Sequence, residues 1–320
     1  YYNGHSYGGG LCFNFCAYKV NSCTFNSNSA TYGGAVSVNE VVENGNSYFY
    51  FLPTLFTTIS NCLITNNNST YAIFSKRTSL HVNNCTIVNN VDGGVYLNSN
   101  DAGKVPSFNN NCIYNNNSLG SLGNDDFVAY GSVEDWTLPL GVREVPEGAP
   151  IVKNCLVGTI TWSGPDNVSY PVDGGGNIVG VNPLLESDFT LNSCSPAINA
   201  GNNSLLPPPF NVTDRAGNPR FYQGGTVDIG CFEKQSAIGG SLTTNSTQYI
   251  CNGDSVLIHG VYEKNAGTYS ASTPLPNGCI SIDNVTMVVR QKPIISVRSL
   301  NNCGTSGTIQ ITPLTGLAPF

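Results

Sequence analysis

Apolar residues in this chain come in short runs that alternate with polar ones, as in Cys62-Leu63-Ile64-Thr65 and Cys85-Thr86-Ile87-Val88, and asparagine or glycine clusters bound each run. The pattern has the two-residue period of a strand, with neither a helical period nor helix caps around it. Strands of this length cannot bury themselves. The runs also recur inside one phrase, an Asn-Cys step, an Asn-rich bend and a Gly-Gly pair: Asn21-Ser22-Cys23-Thr24-Phe25 leading to Gly33-Gly34-Ala35-Val36, Asn61-Cys62-Leu63-Ile64 leading to Asn66-Asn67-Asn68, and Asn84-Cys85-Thr86-Ile87 leading to Gly93-Gly94-Val95-Tyr96. A phrase with this period denotes stacked repeats, in which each coil pairs its backbone with the coil above and below. The predicted architecture is a parallel β-helix.

Aligning the Asn-Cys steps places Cys23, Cys62, Cys85, Cys112 and Cys155 in one row, separated by 39, 23, 27 and 43 positions. A short gap is one coil, and a long gap is one coil plus an insertion of roughly 15 to 20 residues. The insertions are expected at Glu43 to Phe56, with the run Tyr48-Phe49-Tyr50-Phe51, and at Leu119 to Pro150, with Asp125-Asp126 and Glu134-Asp135-Trp136. In such a stack equivalent residues lie above one another, so asparagines form hydrogen-bonded ladders and also serve corners that need the left-handed backbone region. Glycine pairs serve the tightest corners. Ser6-Tyr7-Gly8-Gly9-Gly10-Leu11 restates Thr31-Tyr32-Gly33-Gly34-Ala35-Val36 at an offset of 25, so the chain is expected to begin inside a longer solenoid.

Composition narrows the functional classes. Of 320 residues only 10% are charged, against roughly a quarter in ordinary soluble chains, and Asn, Ser, Thr and Gly supply the polarity. A net charge of -7 with 13 scattered Lys and Arg builds no basic stripe for nucleic acid. No apolar run approaches the length of a membrane span.

The twelve cysteines contain no Cys-x2-Cys pair and recur with the coil, which favours core stacking over metal binding. Cys12 and Cys16 read either as a bridge or as two ladder rows. His5, His81 and His259 stand in unrelated contexts and assemble no triad or zinc site. Polysaccharide-cleaving β-helices need converging carboxylates, often with calcium and a basic residue. Here Asp125, Asp126, Glu134 and Asp135 cluster only inside an insertion, where they read as a solvated acidic loop, and Asp214 and Asp228 read as turn-fixing residues. Tyr48, Tyr50, Trp136 and Trp162 are the candidate ligand-binding residues, because aromatic faces give sugar rings large contact at low entropic cost. The competing reading buries them under folded-back insertions.

Family resemblances add to this. Phe25-Asn26-Ser27-Asn28 followed by Gly33-Gly34-Ala35-Val36 resembles the paired repeats of polymorphic outer-membrane adhesins and related right-handed β-helix surface proteins. Ser195 to Asn202, Asp214 to Arg220 and Val227 to Glu233 resemble the terminal block of the choice-of-anchor Q family, with Cys231-Phe232-Glu233 where that family has Ala-Tyr-Glu and Asn199 where it has Asp. That resemblance closes the solenoid near Glu233. Ile250 to Leu257, Gly267 to Ser270 and Asn277 to Ile282 resemble small immunoglobulin-like repeats of Bacteroidetes surface proteins, with Val256, Ile258, Val285, Met287 and Val289 as apolar strand positions. So small a core is expected to use a Cys251–Cys279 disulfide worth roughly 3 kcal/mol. Asn302 to Ile311 with Gly316 to Phe320 resembles the opening of the SprB-like repeat of gliding adhesins.

The expected fold is therefore all-β: a right-handed parallel β-helix over 1–233, a linker over 234–240, an immunoglobulin-like β-sandwich over 241–292, and the truncated start of a further β repeat over 293–320. The resemblances imply a non-catalytic segment of a long exported adhesin at the bacterial cell surface, of the type IX secretion and gliding class, with a surface or glycan as ligand and adjoining modules of the same chain as partners. No cofactor is expected beyond a structural calcium ion. A β-helix polysaccharide lyase or hydrolase, and a purely structural stalk, are the rival readings.

Overall fold

The computed structural model describes residues 6–14, 17–39, 56–76, 78–98, 105–116, 126–130, 150–163, 173–206, 213–222, 225–236, 238–275, 278–292, 294–300 and 308–315. These form two compact units, Tyr1–Ala237 and Ile238–Phe320, whose division falls inside the 234–240 segment. Among the described residues the regular structure is β apart from short 3-10 turns, of which Asn203–Leu205 is described in full.

In the first unit the chain visits three parallel sheets in rotation. The first sheet holds β1 (Leu11–Asn14), β4 (Val36–Asn39), β7 (Ile73–Lys76), β10 (Val95–Asn98), β13 (Phe127–Tyr130) and β16 (Ile160–Ser163). Stacked in the second are β2 (Lys19–Asn21), β5 (Phe56–Ser60), β8 (Ser79–Asn83), β11 (Ser107–Asn109) and β14 (Ile151–Lys153). The third holds β3 (Thr24–Asn26), β6 (Leu63–Thr65), β9 (Thr86–Val88), β12 (Cys112–Tyr114), β15 (Leu156–Val157) and β17 (Ile178–Val179). One core joins them. Its rows are Val36, Ile73, Val95 and Phe127 from the first sheet, Ile59, Val82, Phe108 and Val152 from the second, and Ile64, Ile87, Ile113 and Val157 from the third, all buried.

The corners explain the asparagine content. On entering the third sheet the chain turns at Ser22, Asn61, Asn84, Asn110 and Asn154, and on leaving it at Ser27, Asn66, Asn89 and Asn115, all with φ between 48° and 58°. Asparagine and glycine enter that left-handed region at least cost. Behind the second corner Asn28, Asn67, Asn90 and Asn116 form an inner ladder. Asn67 Nδ2 donates to Asn90 Oδ1 at 2.9 Å, and Asn90 Nδ2 donates to Asn116 Oδ1 at 2.7 Å.

The inward cysteine row differs from the aligned one. Cys23 N donates to Cys62 Sγ and Cys62 N to Cys85 Sγ, each at 3.5 Å, but Cys85 N then donates to Asn111 Oδ1, and Asn111 N to Cys155 Sγ. Asn111 therefore holds the place assigned to Cys112. Cys112 sits one residue on, in register with Thr86 and Leu156, on the outer face of the third sheet. A shift of one residue moves a side chain to the opposite face.

That outer face is covered rather than exposed. The segment after β17 folds back along the side of the stack instead of adding coils at its end. Cys112, Leu156 and Val88 pack against Leu191, Ala197, Ile198 and Ile229 in a second buried cluster. Arg220 donates to Asn61 Oδ1 at 2.6 Å, Cys231 N to Thr86 Oγ1 at 3.0 Å, and Gly230 N to the Asn110 carbonyl at 2.8 Å. At the far end of the segment the Arg215 guanidinium donates to Thr24 Oγ1. The motifs expected to close the stack thus lie over β3 to β15.

The second unit contains the sheet β18 (Gly240–Cys251), β22 (Cys279–Arg290) and β21 (Gly267–Pro274), with β18 and β22 parallel and β21 antiparallel to β22. Between them lies the hairpin β19 (Val256–Ile258) and β20 (Val261–Glu263), turned at His259 and Gly260, both with positive φ. Ile258, Val285 and Met287 are its buried core, with Ile250, Val256, Tyr269 and Val289 packed around them. A further hairpin joins β23 (Ile294–Leu300) to β24 (Thr308–Thr315). The expected Cys251–Cys279 bridge is not made: Cys251 is a free thiol, whereas Cys279 is disulfide-bonded. Register gives the reason. Cys251 stands opposite Arg290 and Cys279 opposite Gly240, at opposite ends of the same strand pair.

Candidate functional site

Phe74 and Tyr96 occupy the same register position on β7 and β10, where adjacent strands run at the sheet spacing, so their rings stack at 5.1 Å with planes 2° apart. Tyr32, at the corner before β4, adds a ring 5.1 Å from Phe74, and Tyr7, bridged to Tyr32 one circuit earlier, lies 5.4 Å from Tyr32. Glycine permits this crowding. Gly33 takes φ +67°, and a Cβ on Gly93 would fall 2.6 Å from the Tyr71 ring, which itself packs 4.9 Å from Tyr96.

Tyr7 also lies 6.0 Å from Phe74, so the result is a short, clustered aromatic row on the outside of the first sheet, with Tyr7, Tyr32 and Phe74 mutually in contact and Tyr96 stacked beyond Phe74. Tyr7 is 44% exposed, while Tyr32, Phe74 and Tyr96 are half-buried. Stacking occupies most ring faces, so what the row presents outward is chiefly the exposed Tyr7 and the ring edges beside it. Beside it on the same face run Asn39 and Lys76, in register, of which Asn39 is buried and Lys76 half-buried, so Lys76 is the polar group next to the rings. Apolar surface with a few placed polar groups is the usual composition of a sugar-binding surface.

The residues singled out from sequence fare differently. Tyr48, Tyr50 and Trp136, and most of the insertions carrying them, lie outside the described residues. Trp162 lies on β16, in the register row that contains the buried Val38, Leu97 and Ala129. Within the second insertion, Phe127 to Tyr130 is strand β13 of the first sheet, so that stretch is not all loop. Asp126, expected in a solvated acidic loop, is buried: its carboxylate accepts from Asn116 N and Nδ2 at 2.8 Å and from Thr159 N at 3.2 Å, ending the inner ladder.

A buried ionic network also appears in the folded-back segment. Arg220, with no exposed surface, lies 3.5 Å from Glu233, and Asp214 and Asp228 flank the pair. Burial, followed by the Asp228 charge, pushes the Glu233 carboxyl up to about 8. Such a value suits a general acid. The oxygens are nevertheless committed to turns: Asp214 accepts from Asn218 N and Glu233 N, Asp228 from Asn199 N and Lys234 N, and Glu233 from Asp228 N. Among the described residues no group of three or more His, Cys, Asp or Glu is arranged to hold a metal ion.

The aromatic row had a sequence signal. Tyr7 and Tyr32 precede the glycines of the repeated Tyr-Gly-Gly phrase, and Phe74 and Tyr96 are alternate positions in their strands. No protein-family model, curated protein or solved structure matches this chain.

Proposed function

We propose that this chain is a non-catalytic segment of an exported bacterial cell-surface adhesin that attaches to a surface or glycan through the aromatic row. The first unit is read as a parallel β-helix with its terminal block laid along one side, and the second as an immunoglobulin-like module that spaces it within a longer chain. One observation carries the reading: Tyr7, Tyr32 and Phe74 pack mutually at 5.1 to 6.0 Å, and Tyr96 stacks on Phe74 at 5.1 Å, which gathers four aromatic rings on one outer face. Against an enzyme stands the strand inventory. None of the seventeen strands β1 to β17 contains an Asp or Glu, so their faces lack the converging carboxylates that glycan cleavage needs.

The test is a glycan array and cell-surface binding with the whole chain, alongside Phe74→Ala and Tyr7→Ala. Each ring contact is worth roughly 1 kcal/mol, so the double variant is expected to bind about tenfold or more weakly with the far-UV spectrum retained. Undiminished attachment overturns the assignment to this row. Release of unsaturated or reducing sugar ends by the chain overturns the non-catalytic reading.

A further inference from the structure

Strand β18 is the outermost strand of its sheet, pairs with β22 and with no other strand among the described residues, and is exposed along nine of its twelve residues. Its sequence, Gly240-Ser-Leu-Thr-Thr-Asn-Ser-Thr-Gln-Tyr-Ile-Cys251, has no charge and no proline. Natural edge strands of this length are normally blunted by lysine, proline, a bulge or a covering element. Among the described residues none of these devices is present: the strand has no lysine or proline, its register with β22 runs unbroken over all twelve positions, and no further strand pairs with it.

The direction of the open backbone groups can be read from the register. Asn252 N donates to the Arg290 carbonyl at 2.7 Å, which turns the even-numbered backbone groups toward β22. The odd-numbered residues Ser241, Thr243, Asn245, Thr247 and Tyr249 then turn their N–H and C=O groups to the open edge. Their side chains share one face with the Thr268–Thr286 pair and with the Asn245–Asn284–Ser270 hydrogen-bonded row.

We infer that this edge is a homotypic docking site, at which β18 of a second copy of the chain adds antiparallel to join two three-stranded sheets into one of six. The occupant follows from charge and symmetry. The whole chain carries -7, yet β18 itself contains no charged residue. The charges against it are Arg290 over the Tyr249 ring at one end and Asp283 bonded to Thr244. An antiparallel partner sets the two Arg290 residues at opposite ends of the contact, so two identical edges approach without strong local repulsion. A two-fold axis normal to the sheet makes one copy's open donors the partner of the other's acceptors and keeps the Thr/Asn face continuous. Such an isologous contact closes at two copies. Pairing β18 instead with the opposite edge, β21, is heterologous, and β21 ends at Pro274. One strand edge buries less than the roughly 1,200 Å² of a stable interface, so the dimer is weak and forms at high local concentration, as on a crowded surface.

The test is sedimentation velocity of the full chain over about a hundredfold range of concentration, with two variants. Thr247→Pro removes an edge N–H that β22 does not use. Thr243→Lys with Thr247→Lys keeps every N–H but sets like charges across the axis. The wild type is expected to show a reversible monomer–dimer equilibrium, and both variants to weaken it about tenfold or more with their thermal transitions retained. If the proline variant unfolds, the lysine variant decides the question. A chain that stays monomeric throughout, a dimer indifferent to the lysine substitutions, or open filaments in place of dimers overturns the inference.

Discussion

Asn90 is the residue on which the inner ladder can be tested most sharply, because its side chain is 1% exposed and bonded on every side. Its Nδ2 donates to Asn116 Oδ1 at 2.7 Å, to the Ile64 carbonyl at 3.1 Å and to the Val88 carbonyl at 3.3 Å. Its Oδ1 accepts from Asn67 N at 3.0 Å and from Asn67 Nδ2 at 2.9 Å. Asn90→Ala leaves the Asn67 amide N–H without this acceptor in a buried corner, at about 1 to 3 kcal/mol. It also strips contacts from two carbonyls and opens a small cavity, each adding about 1 kcal/mol. The expected loss is about 3 to 5 kcal/mol, a large share of the roughly 5 to 15 kcal/mol by which a domain is stable.

The ladder also has a direction, which sharpens the test. Each amide donates toward Asn116, and the last acceptor is Asp126, whose oxygens meet only N–H donors. An aspartate is suited to that terminus and to no interior position. Asn90→Asp is therefore expected to cost more than Asn90→Ala, since its carboxylate faces the Ile64 and Val88 carbonyls and Asn116 Oδ1. Asn26→Ala, at an exposed asparagine whose Oδ1 accepts from Asn66 Nδ2 on the next circuit, is the control at about 0.5 kcal/mol or less. Urea unfolding of the whole chain, followed by circular dichroism, measures all three. Equal losses for Asn90→Ala and Asn26→Ala would refute the reasoning.

Much of the first unit was legible because its repeat letters have local causes. Left-handed corners select Asn and Gly, and the two-residue period selects which of Ile64, Ile87 and Ile113 face inward. The cysteine row slipped by one because Asn110-Asn111-Cys112 offers two asparagines, and an amide at 111 fills the same inward place as a thiol. Aligning the isoleucines instead of the cysteines recovers the register. Strand β13 was hidden by its acidic prefix, since Asp125-Asp126 reads as loop until the ladder supplies Asp126 with donors. The aromatic row was visible in letters but not in meaning: Tyr-Gly-Gly was read for its glycines. Pairing in the second unit was beyond local reading, because nothing in the Cys251 and Cys279 segments reveals that their strands run parallel with the cysteines at opposite ends.

Three further outcomes follow from the buried groups. Cys112→Ser sets a hydroxyl among Leu156, Leu191 and Ile198 and is expected to cost about 1 to 3 kcal/mol, whereas Cys112→Val is tolerated within about 1.5 kcal/mol; equal costs in denaturant unfolding would return this residue to the polar inner row. Thiol labelling of the native chain is expected to modify the exposed Cys12 and Cys23 quickly and to spare Cys155 and Cys231, whose thiols burial pushes up to about 12 and about 11, so rapid labelling of either would contradict the packing. The last concerns Glu233, whose carboxyl stands at about 8 against an ordinary 4.5 because it is buried beside Asp228, with Arg220 opposing the shift. Between those values the native chain keeps a proton that the unfolded chain releases, so the contribution of Glu233 to stability is fully present below pH 4.5, is lost as pH rises through the window, and is gone above pH 8. At 1.36 kcal/mol per unit the whole fall is at most about 5 kcal/mol. Glu233→Gln mimics the protonated form, so it is expected to match the wild type at acid pH and to exceed it at pH 9 in urea unfolding. Parallel wild-type and Glu233→Gln curves across that range would show that Arg220 holds Glu233 ionised throughout, and that this network locks the folded-back segment as an ion pair instead of a shared proton.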